Sequence, residues 1–302
     1  MVYGVIDIGS NTIRLSVYKI SGNKVVNLFN EKDQASLKSY VSDGYLSEKG
    51  IKRLIGTLRS FKGIVENFDN IDELHPFATA TIRDVVNRNE ILDRVKEEVG
   101  LDIEIISGEE EAKLAFIGAG SSVDVSSGIL TDIGGGSTEV VLIDKHKVFK
   151  SVSLDIGSLS AFNDYVNNLF ANKYEKKLID KKVKKLLSNN KMYREEQEFL
   201  CAVGGSARAS LRFYNEYYDL DYNNTLMKRK KLNSMLKEVI AREPRNILDA
   251  ILTVKPDRVH TLLPGMIILN RLAKYFYCKK ISVSHTGVRE GYIYNKELGG
   301  ES

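Results

Sequence analysis

One segment of this chain occurs twice, and that repeat constrains the fold more than any other feature. Thr131-Asp132-Ile133-Gly134-Gly135-Gly136-Ser137-Thr138-Glu139 lies between the apolar runs Gly128-Ile129-Leu130 and Val140-Val141-Leu142-Ile143. The pattern predicts a strand, a glycine turn and a second strand, with a carboxylate on each side of the turn. Three consecutive glycines let the backbone fold back and leave its N–H groups clear of side chains, as a bound phosphate requires. Asp132 and Glu139 would then stand at the mouth of the turn, where a hard cation can neutralise the phosphate. A plain hairpin whose glycines only supply positive φ fits the same segment. The second copy weighs against it. Val5-Ile6-Asp7-Ile8-Gly9-Ser10-Asn11-Thr12-Ile13-Arg14-Leu15-Ser16-Val17 repeats the apolar strand, the Asp-Ile-Gly, the small polar turn and the alternating strand. Asp7 aligns with Asp132, 125 residues on, a spacing close to one domain length. A duplicated architecture follows, with one phosphate loop in each half.

The length of 302 residues suits two such domains. A Gly/Ser-rich stretch at 118–127 marks the boundary, giving domains 1–122 and 123–302 with the closing helix returning to the first. The net charge of +4 carries no global polyanion-binding signal, so any such signal is local. Cys201 and Cys278 stand far apart without CxxC or CxxH spacing. Neither a disulfide framework nor a zinc site is expected, and a reducing cytoplasm fits. The N-terminus reaches Asp7 after a few apolar residues, unlike a signal peptide. No apolar run approaches the roughly 20 residues of a membrane span. The expectation is a soluble cytoplasmic protein with no membrane partner.

Strands and helices alternate along the chain, which places it in the α/β class. A third strand is expected from residue 24, and residues 47–68 read as a helix because Ile51, Leu54, Ile55, Leu58, Phe61, Ile64 and Val65 follow three-four spacing. Residues 75–81 read as a short strand, 91–99 as a helix and 102–106 as a strand. Ser107 with Glu110 three residues later is a capping box that starts the next helix. In the second half, residues 148–154 and 199–203 read as strands, the latter running into Gly204-Gly205-Ser206 and a helix. Further helices are expected at 158–169, 174–187, 228–240 and 245–252, another opening at Leu263-Pro264-Gly265, a strand at 280–284 and a closing helix at 287–298.

Several side chains suit phosphate chemistry, each beside a plainer explanation. Glu109 and Glu110 in a helix first turn are accounted for by the helix dipole. Glu111 precedes the packed run Ala112, Leu114, Ala115, Phe116, where a carboxylate beside a desolvated cleft can activate a water. Spacing alone leaves both readings open. Arg83, directly after Thr79-Ala80-Thr81-Ile82 and at a strand end, suits a guanidinium clamp on phosphate or a weak surface pair with Asp84. Arg14 shares a strand face with Thr12 and suits a phosphate or a carboxylate of the domain interface. The junctions Gly204-Gly205-Ser206-Ala207-Arg208 and Ser284-His285-Thr286-Gly287 suit anion binding or close packing. None of the four histidines has a partner at ligand spacing. Lysine clusters at 173–185 and 228–231 read as solvated faces, or as a polyanion track if they line a groove to the glycine loops. No recognition motif or aromatic platform accompanies them, so nucleic acid is not expected as a partner.

Asp7 to Leu15, Thr79-Ala80-Thr81-Ile82-Arg83-Asp84, Ser107-Gly108-Glu109-Glu110-Glu111-Ala112 and Asp132 to Glu139 occur in an order that resembles the exopolyphosphatase/guanosine pentaphosphate phosphatase family. Gly204 to Arg208, Leu263-Pro264-Gly265 and Arg289-Glu290-Gly291 extend the resemblance over nearly the whole chain. The glycine motifs are shared with the wider actin, sugar-kinase and heat-shock ATPase superfamily; the Glu-Glu-Ala helix start and the Thr-Ala-x-x-Arg segment narrow it. The resemblance implies two ribonuclease H-like, actin-like domains closing over a cleft. It implies release of terminal orthophosphate from inorganic polyphosphate or guanosine pentaphosphate. Glu111 matches the catalytic base. Asp132 and Glu139, with Asp7, match the acidic residues of a divalent-ion site, usually magnesium, with manganese equally suited. Arg83, Arg14 and the loop residues Ser10, Asn11, Thr12, Gly134, Gly135, Gly136, Ser137 and Thr138 match the phosphate-binding groups. Thr12 stands where serine is expected, which keeps the hydroxyl. Longer members continue into a helical C-terminal domain that helps enclose polyphosphate, whereas this sequence ends at Ser302. A homodimer fits the resemblance. A kinase or actin-like ATPase shares the phosphate loops, and a polyphosphate or alarmone sensor would keep the loops without turnover.

Overall fold

The structure, a computed structural model, describes residues 1–22, 24–68, 71–120, 126–192, 197 and 199–298. The chain divides into two compact units, Met1–Glu111 with Tyr292–Ser302, and Ala112–Gly291. The boundary expected between residues 122 and 123 falls outside the described residues.

In the first unit, strands β1 (Val2–Ile8), β2 (Ile13–Ser21) and β3 (Lys24–Asp33) form an antiparallel meander. A two-stranded hairpin, β4 (Val41–Ser42) and β5 (Tyr45–Leu46), then leads into helix α1 (Glu48–Glu66). Ser47 caps α1, its Oγ accepting from the Gly50 N–H at 3.4 Å. The helix buries Ile51, Leu54, Ile55, Leu58 and Phe61, each side chain contributing about 1.5–3 kcal/mol. Strand β6 (Glu73–Ala78) joins β1 in parallel, and after α2 (Ala80–Asp84) and α3 (Arg88–Val99) strand β7 (Glu104–Ile105) adds in parallel to β6. The sheet order is β3-β2-β1-β6-β7.

Helix α4 (Gly108–Gly120) carries the chain into the second unit, where the pattern recurs. Strands β8 (Gly128–Ile133), β9 (Thr138–Asp144) and β10 (Lys147–Leu154) form the second meander, followed by α5 (Ser158–Tyr165) and α6 (Lys173–Asn189). Strand β11 (Phe199–Val203) pairs in parallel with β8 and runs into α7 (Gly204–Tyr217). Then come β12 (Leu226–Lys228), α8 (Arg229–Ile240), α9 (Pro244–Val254), α10 (Leu262–Tyr275), β13 (Lys280–Val283) and α11 (Val288–Glu297). The order β10-β9-β8-β11-β13-β12 repeats the first sheet and adds the antiparallel strand β12 at the edge. A meander followed by parallel additions on the β1 or β8 side is the ribonuclease H-like arrangement, present here twice. Helix α10 is buried nearly all round, including Leu263, Met266, Ile267 and Leu272, and forms the centre of the second core.

One short element differs from the sequence reading. The strand expected through Thr81 ends at Ala78, and Ala80–Asp84 turns into helix α2 with Thr81 and Ile82 buried. Arg83 is therefore a helical residue, not a strand end. The lysines of α6 occupy its outer side, because Ile179, Val183 and Leu187 are buried, and Lys176 pairs with Asp180 at 2.6 Å. In the second cluster the Arg229 guanidinium donates to the Cys278 carbonyl and Lys231 lies over the Tyr218 ring. These are the contacts of solvated helix faces.

Within the second unit, α4 and α11 cross with their backbones in contact. A Cβ on Gly118 would overlap the Gly287 carbonyl oxygen, and one on Gly291 the Leu114 carbonyl oxygen. Backbone atoms cannot swing aside as a side chain does, so Gly118→Ala is expected to lose about 3 kcal/mol or more, well above a typical substitution. Thermal melting of the two proteins checks this. No described helix is long and apolar enough to cross a membrane.

Candidate active site

In each unit the parallel strands end at one edge, where α/β sheets commonly bind ligands, and the glycine turn leaves the sheet there. Asp7, Arg14, Asp132, Thr138 and Glu139 are strand residues beside the turns, and Arg83 and Glu111 are helical. In the first unit Ala78 pairs with Ile8 on one side and Ile105 on the other. Beyond these ends the Thr79 amide donates to the Ile8 carbonyl at 3.3 Å and the Ile106 amide to the Ala78 carbonyl at 3.0 Å. In the second unit Val203 pairs with Asp132, and the Ser284 amide donates to the Ala202 carbonyl at 3.0 Å.

The two glycine turns are built alike. The Gly9 amide donates to the Thr12 carbonyl at 3.1 Å, and the Gly134 amide to the Ser137 carbonyl at 3.0 Å. The turn carbonyls are held from behind. Lys38 and Ser36 amides donate to the Ser10 and Asn11 carbonyls, while Ser158 donates to Gly134 and Leu159 and Ser160 to Gly135. With the carbonyls occupied, the amides of Ser10, Asn11, Gly135 and Gly136 donate to no other described residue, which is the polarity an anion cradle needs.

The carboxylates flanking the turns differ between the units. Asp7 lies opposite Arg14 in the β1–β2 register, whereas Asp132 lies opposite Glu139 in β8–β9. Directly opposed like charges destabilise a sheet, so the second pair calls for positive charge nearby. Glu139 is fully buried and accepts from Ser153 Oγ at 2.9 Å. Two hard carboxylate groups on adjacent strands are a donor set suited to magnesium or manganese.

Arg83 and Glu111 meet in the first unit. Arg83 Nη1 donates to Glu111 Oε2 at 3.1 Å and to the Ile106 carbonyl at 3.0 Å, while Nε donates to Asp84 at 3.1 Å. Burial pulls the guanidinium pKa down, and the Glu111 and Asp84 carboxylates outweigh it, leaving the pKa raised. The Arg83 Nη2 group donates to no described residue. Glu111 itself is only 8% exposed, at the first turn of α4, whose start is the expected capping box. There the Ser107 amide donates to Glu110 at 2.9 Å and the Glu110 amide to Ser107 Oγ at 3.1 Å.

A model of the Ppx/GppA phosphatase family matches residues 16–299. The chain belongs to this family. The family is one of phosphatases. The bifunctional 3-dehydroquinate synthase/phosphatase of Fusobacterium nucleatum is 30% identical over 305 residues, covering 95% of this chain and 45% of its own length. Exopolyphosphatase 1 of Mycobacterium tuberculosis is 34% identical over 144 residues, 46% of this chain and 42% of the relative. The matched segment thus spans less than half the length of either relative. The crystal structure of the Aquifex aeolicus PPX-GPPA enzyme superposes with a TM-score of 0.79 at 26% identity, covering 98% of this chain and 99% of the other. The two chains share one fold.

This Ppx/GppA chain also places cations that single motifs did not reveal. Around Arg208, on α7, stand Arg289, Glu290, Asp132 and Arg258; burial first and then Arg289 lower its pKa. Arg258 Nη1 donates to Ser206 Oγ at 3.4 Å, and Arg208 Nη1 to the His285 carbonyl at 3.1 Å. The N-terminus of α7, with Gly204 against the Asp132 carboxylate, opens into the same group. Arg258 lies in a short 3-10 turn, Pro256–Arg258, with no motif around it. Only the fold connects it to the site, through Gly205, Ser206 and Arg208.

Proposed function

We propose that this chain hydrolyses the terminal phosphoanhydride bond of inorganic polyphosphate. The observation that carries the reading is the buried Glu111 carboxylate, oriented by Arg83 Nη1 at 3.1 Å, in a phosphatase-family chain. Glu111 orients an attacking water and takes its proton. In the first unit Arg83, through Nη2, Arg14, Thr12 and the amides of Ser10 and Asn11 bind phosphate oxygens; in the second unit Gly134 and the amides of Gly135, Gly136, Ser137 and Thr138 do so. Catalysis of phosphoryl transfer is mostly positioning and charge stabilisation, which suits a site made of amides, guanidiniums and carboxylates. Asp132 and Glu139, with Asp7 at the equivalent place in the first unit, would hold magnesium, or manganese. When bound, the ion supplies neutralisation of charge on the transferred and leaving phosphates. The Mycobacterium tuberculosis relative, an exopolyphosphatase by name, supports polyphosphate as substrate. The paired family name, Ppx/GppA, supports guanosine pentaphosphate as the second reading.

The test is orthophosphate release from short polyphosphate, long polyphosphate, guanosine pentaphosphate and ATP, with magnesium and with chelator, comparing wild type and Asp132→Asn. Magnesium-dependent release from polyphosphate that Asp132→Asn loses is expected. Release from the guanosine nucleotide alone moves the assignment to alarmone turnover. Tight binding with no release from any substrate supports the sensor reading instead.

A further inference from the structure

The first unit holds a second cluster of metal-ligand side chains, away from the residues assigned to phosphate chemistry. Glu73 and His75 are two apart on β6 and so project from one face of the strand. Glu297, at the last position of α11, meets them. His75 Nε2 lies 3.4 Å from Glu73 Oε2 and 3.6 Å from Glu297 Oε1. All three ligand atoms fall within 4.8 Å of one another.

These distances are long for an N–H···O hydrogen bond, which peaks near 2.9–3.0 Å. They do match the edge of a zinc coordination tetrahedron, about 3.4 Å for bonds of about 2.1 Å. The imidazole is only 8% exposed, and its Nε2 makes no hydrogen bond among the described residues. A buried imidazole nitrogen left without a hydrogen bond is costly, and here it is aimed at two carboxylates. The ring is fixed by Tyr3, stacked at 6.0 Å, and by Tyr292 at 5.9 Å. The Tyr3 hydroxyl donates to Met1 Sδ at 3.3 Å, and the neighbouring Glu297 carboxylate, then burial, pushes the Tyr3 pKa up to about 12. Burial first, then the Lys296 ammonium, lower the His75 pKa against the pull of Glu73, Glu297 and Glu104, which favours the neutral ring that a metal takes.

We propose that Glu73, His75 and Glu297 bind a zinc-class divalent ion that pins the end of α11 to strand β6. One nitrogen and two carboxylate donors favour zinc over magnesium, which prefers oxygen ligands and retains its waters. The expectation drawn from the cysteines, that no zinc site exists, did not cover a site without cysteine. The pin would reinforce contacts that already dock this helix to the first unit. Phe77 stacks on Tyr292 at 4.9 Å, and the Tyr292 hydroxyl donates to Glu104 at 2.6 Å.

The full chain, stripped of metal, is titrated with zinc against a chromophoric chelator, and separately with cobalt(II) followed by its visible absorption. Asp132→Asn serves as the control for divalent binding at the phosphate site, and melting temperature is read throughout. One equivalent of zinc is expected in wild type and in Asp132→Asn, with tetrahedral cobalt bands and a raised melting temperature. Glu73→Gln, a change at an exposed residue that leaves the fold intact, is expected to weaken zinc about 10-fold or more. Zinc uptake unchanged by Glu73→Gln, or lost only in Asp132→Asn, would overturn the site. So would a His75 ring that titrates above neutral pH and whose resonances zinc leaves unmoved, the behaviour of an imidazolium paired with two carboxylates.

Discussion

Glu111→Gln is expected to fold, to bind substrate with near-normal affinity and to lose about 10²–10⁴-fold in kcat, the usual range for removing a general base. The substitution keeps the volume of the side chain and an amide oxygen for Arg83 Nη1, which now donates to Glu111 at 3.1 Å. What it removes is the proton acceptor. A loss confined to kcat identifies an interaction made in the transition state, whereas a rise in KM alone would point to substrate binding. The neighbouring Glu110→Gln is the control. Glu110 closes the capping box with Ser107, so its change is expected to touch stability by about 1 kcal/mol at most and leave kcat alone. Steady-state kinetics of the three proteins decides the matter, and wild-type turnover in Glu111→Gln would remove Glu111 from the role of base.

Gly204→Ala carries the second large effect, through two costs at one atom. Gly204 has φ +82°, a conformation that costs a non-glycine residue about 1–3 kcal/mol. Its missing Cβ would overlap Asp132 Oδ1, so the methyl group and the carboxylate cannot both keep their places. The Asp132 carboxylate is therefore expected to be displaced. The result should be a lower melting temperature together with a magnesium requirement shifted to higher concentration and weak phosphate release. Gly56→Ala makes the contrasting case. Gly56 lies inside α1 with open space around its Cβ position, and there alanine is expected to stabilise by about 0.5–1 kcal/mol. A Gly204→Ala enzyme with normal magnesium dependence would show that the carboxylate at that position does not serve the ion.

Much of the architecture was legible because it is written twice. The Asp-Ile-Gly turns sit at the same place in two sheets of the same strand order, and the amphipathic spacing of α1 and the Ser107 capping box announce themselves locally. Local patterns failed where tertiary packing set the outcome. Thr79 to Ile82 is rich in β-branched residues, yet the chain leaves the sheet at Ala78 and winds into α2 to bury Thr81 and Ile82. That turn brings Arg83 to Glu111, 28 residues on, a contact that no spacing rule anticipates. Arg258 enters the environment of Arg208 from a short turn without a motif. His75 has no ligand-spaced histidine or cysteine, and its second carboxylate partner is the far-off Glu297, which only the fold places beside it. The difference between Asp7 opposite Arg14 and Asp132 opposite Glu139 was present in both motifs, but its meaning needed the strand register.

The central claim is that water attacks the terminal phosphorus of a polyphosphate chain. A single-turnover reaction of wild-type enzyme with short polyphosphate in oxygen-18 water, with magnesium, tests it directly. The account requires one labelled oxygen in the released orthophosphate and none in the shortened chain. Label in the shortened chain would mean attack at the inner phosphorus, and no orthophosphate at all from bound polyphosphate would mean that this chain senses the polymer without cleaving it.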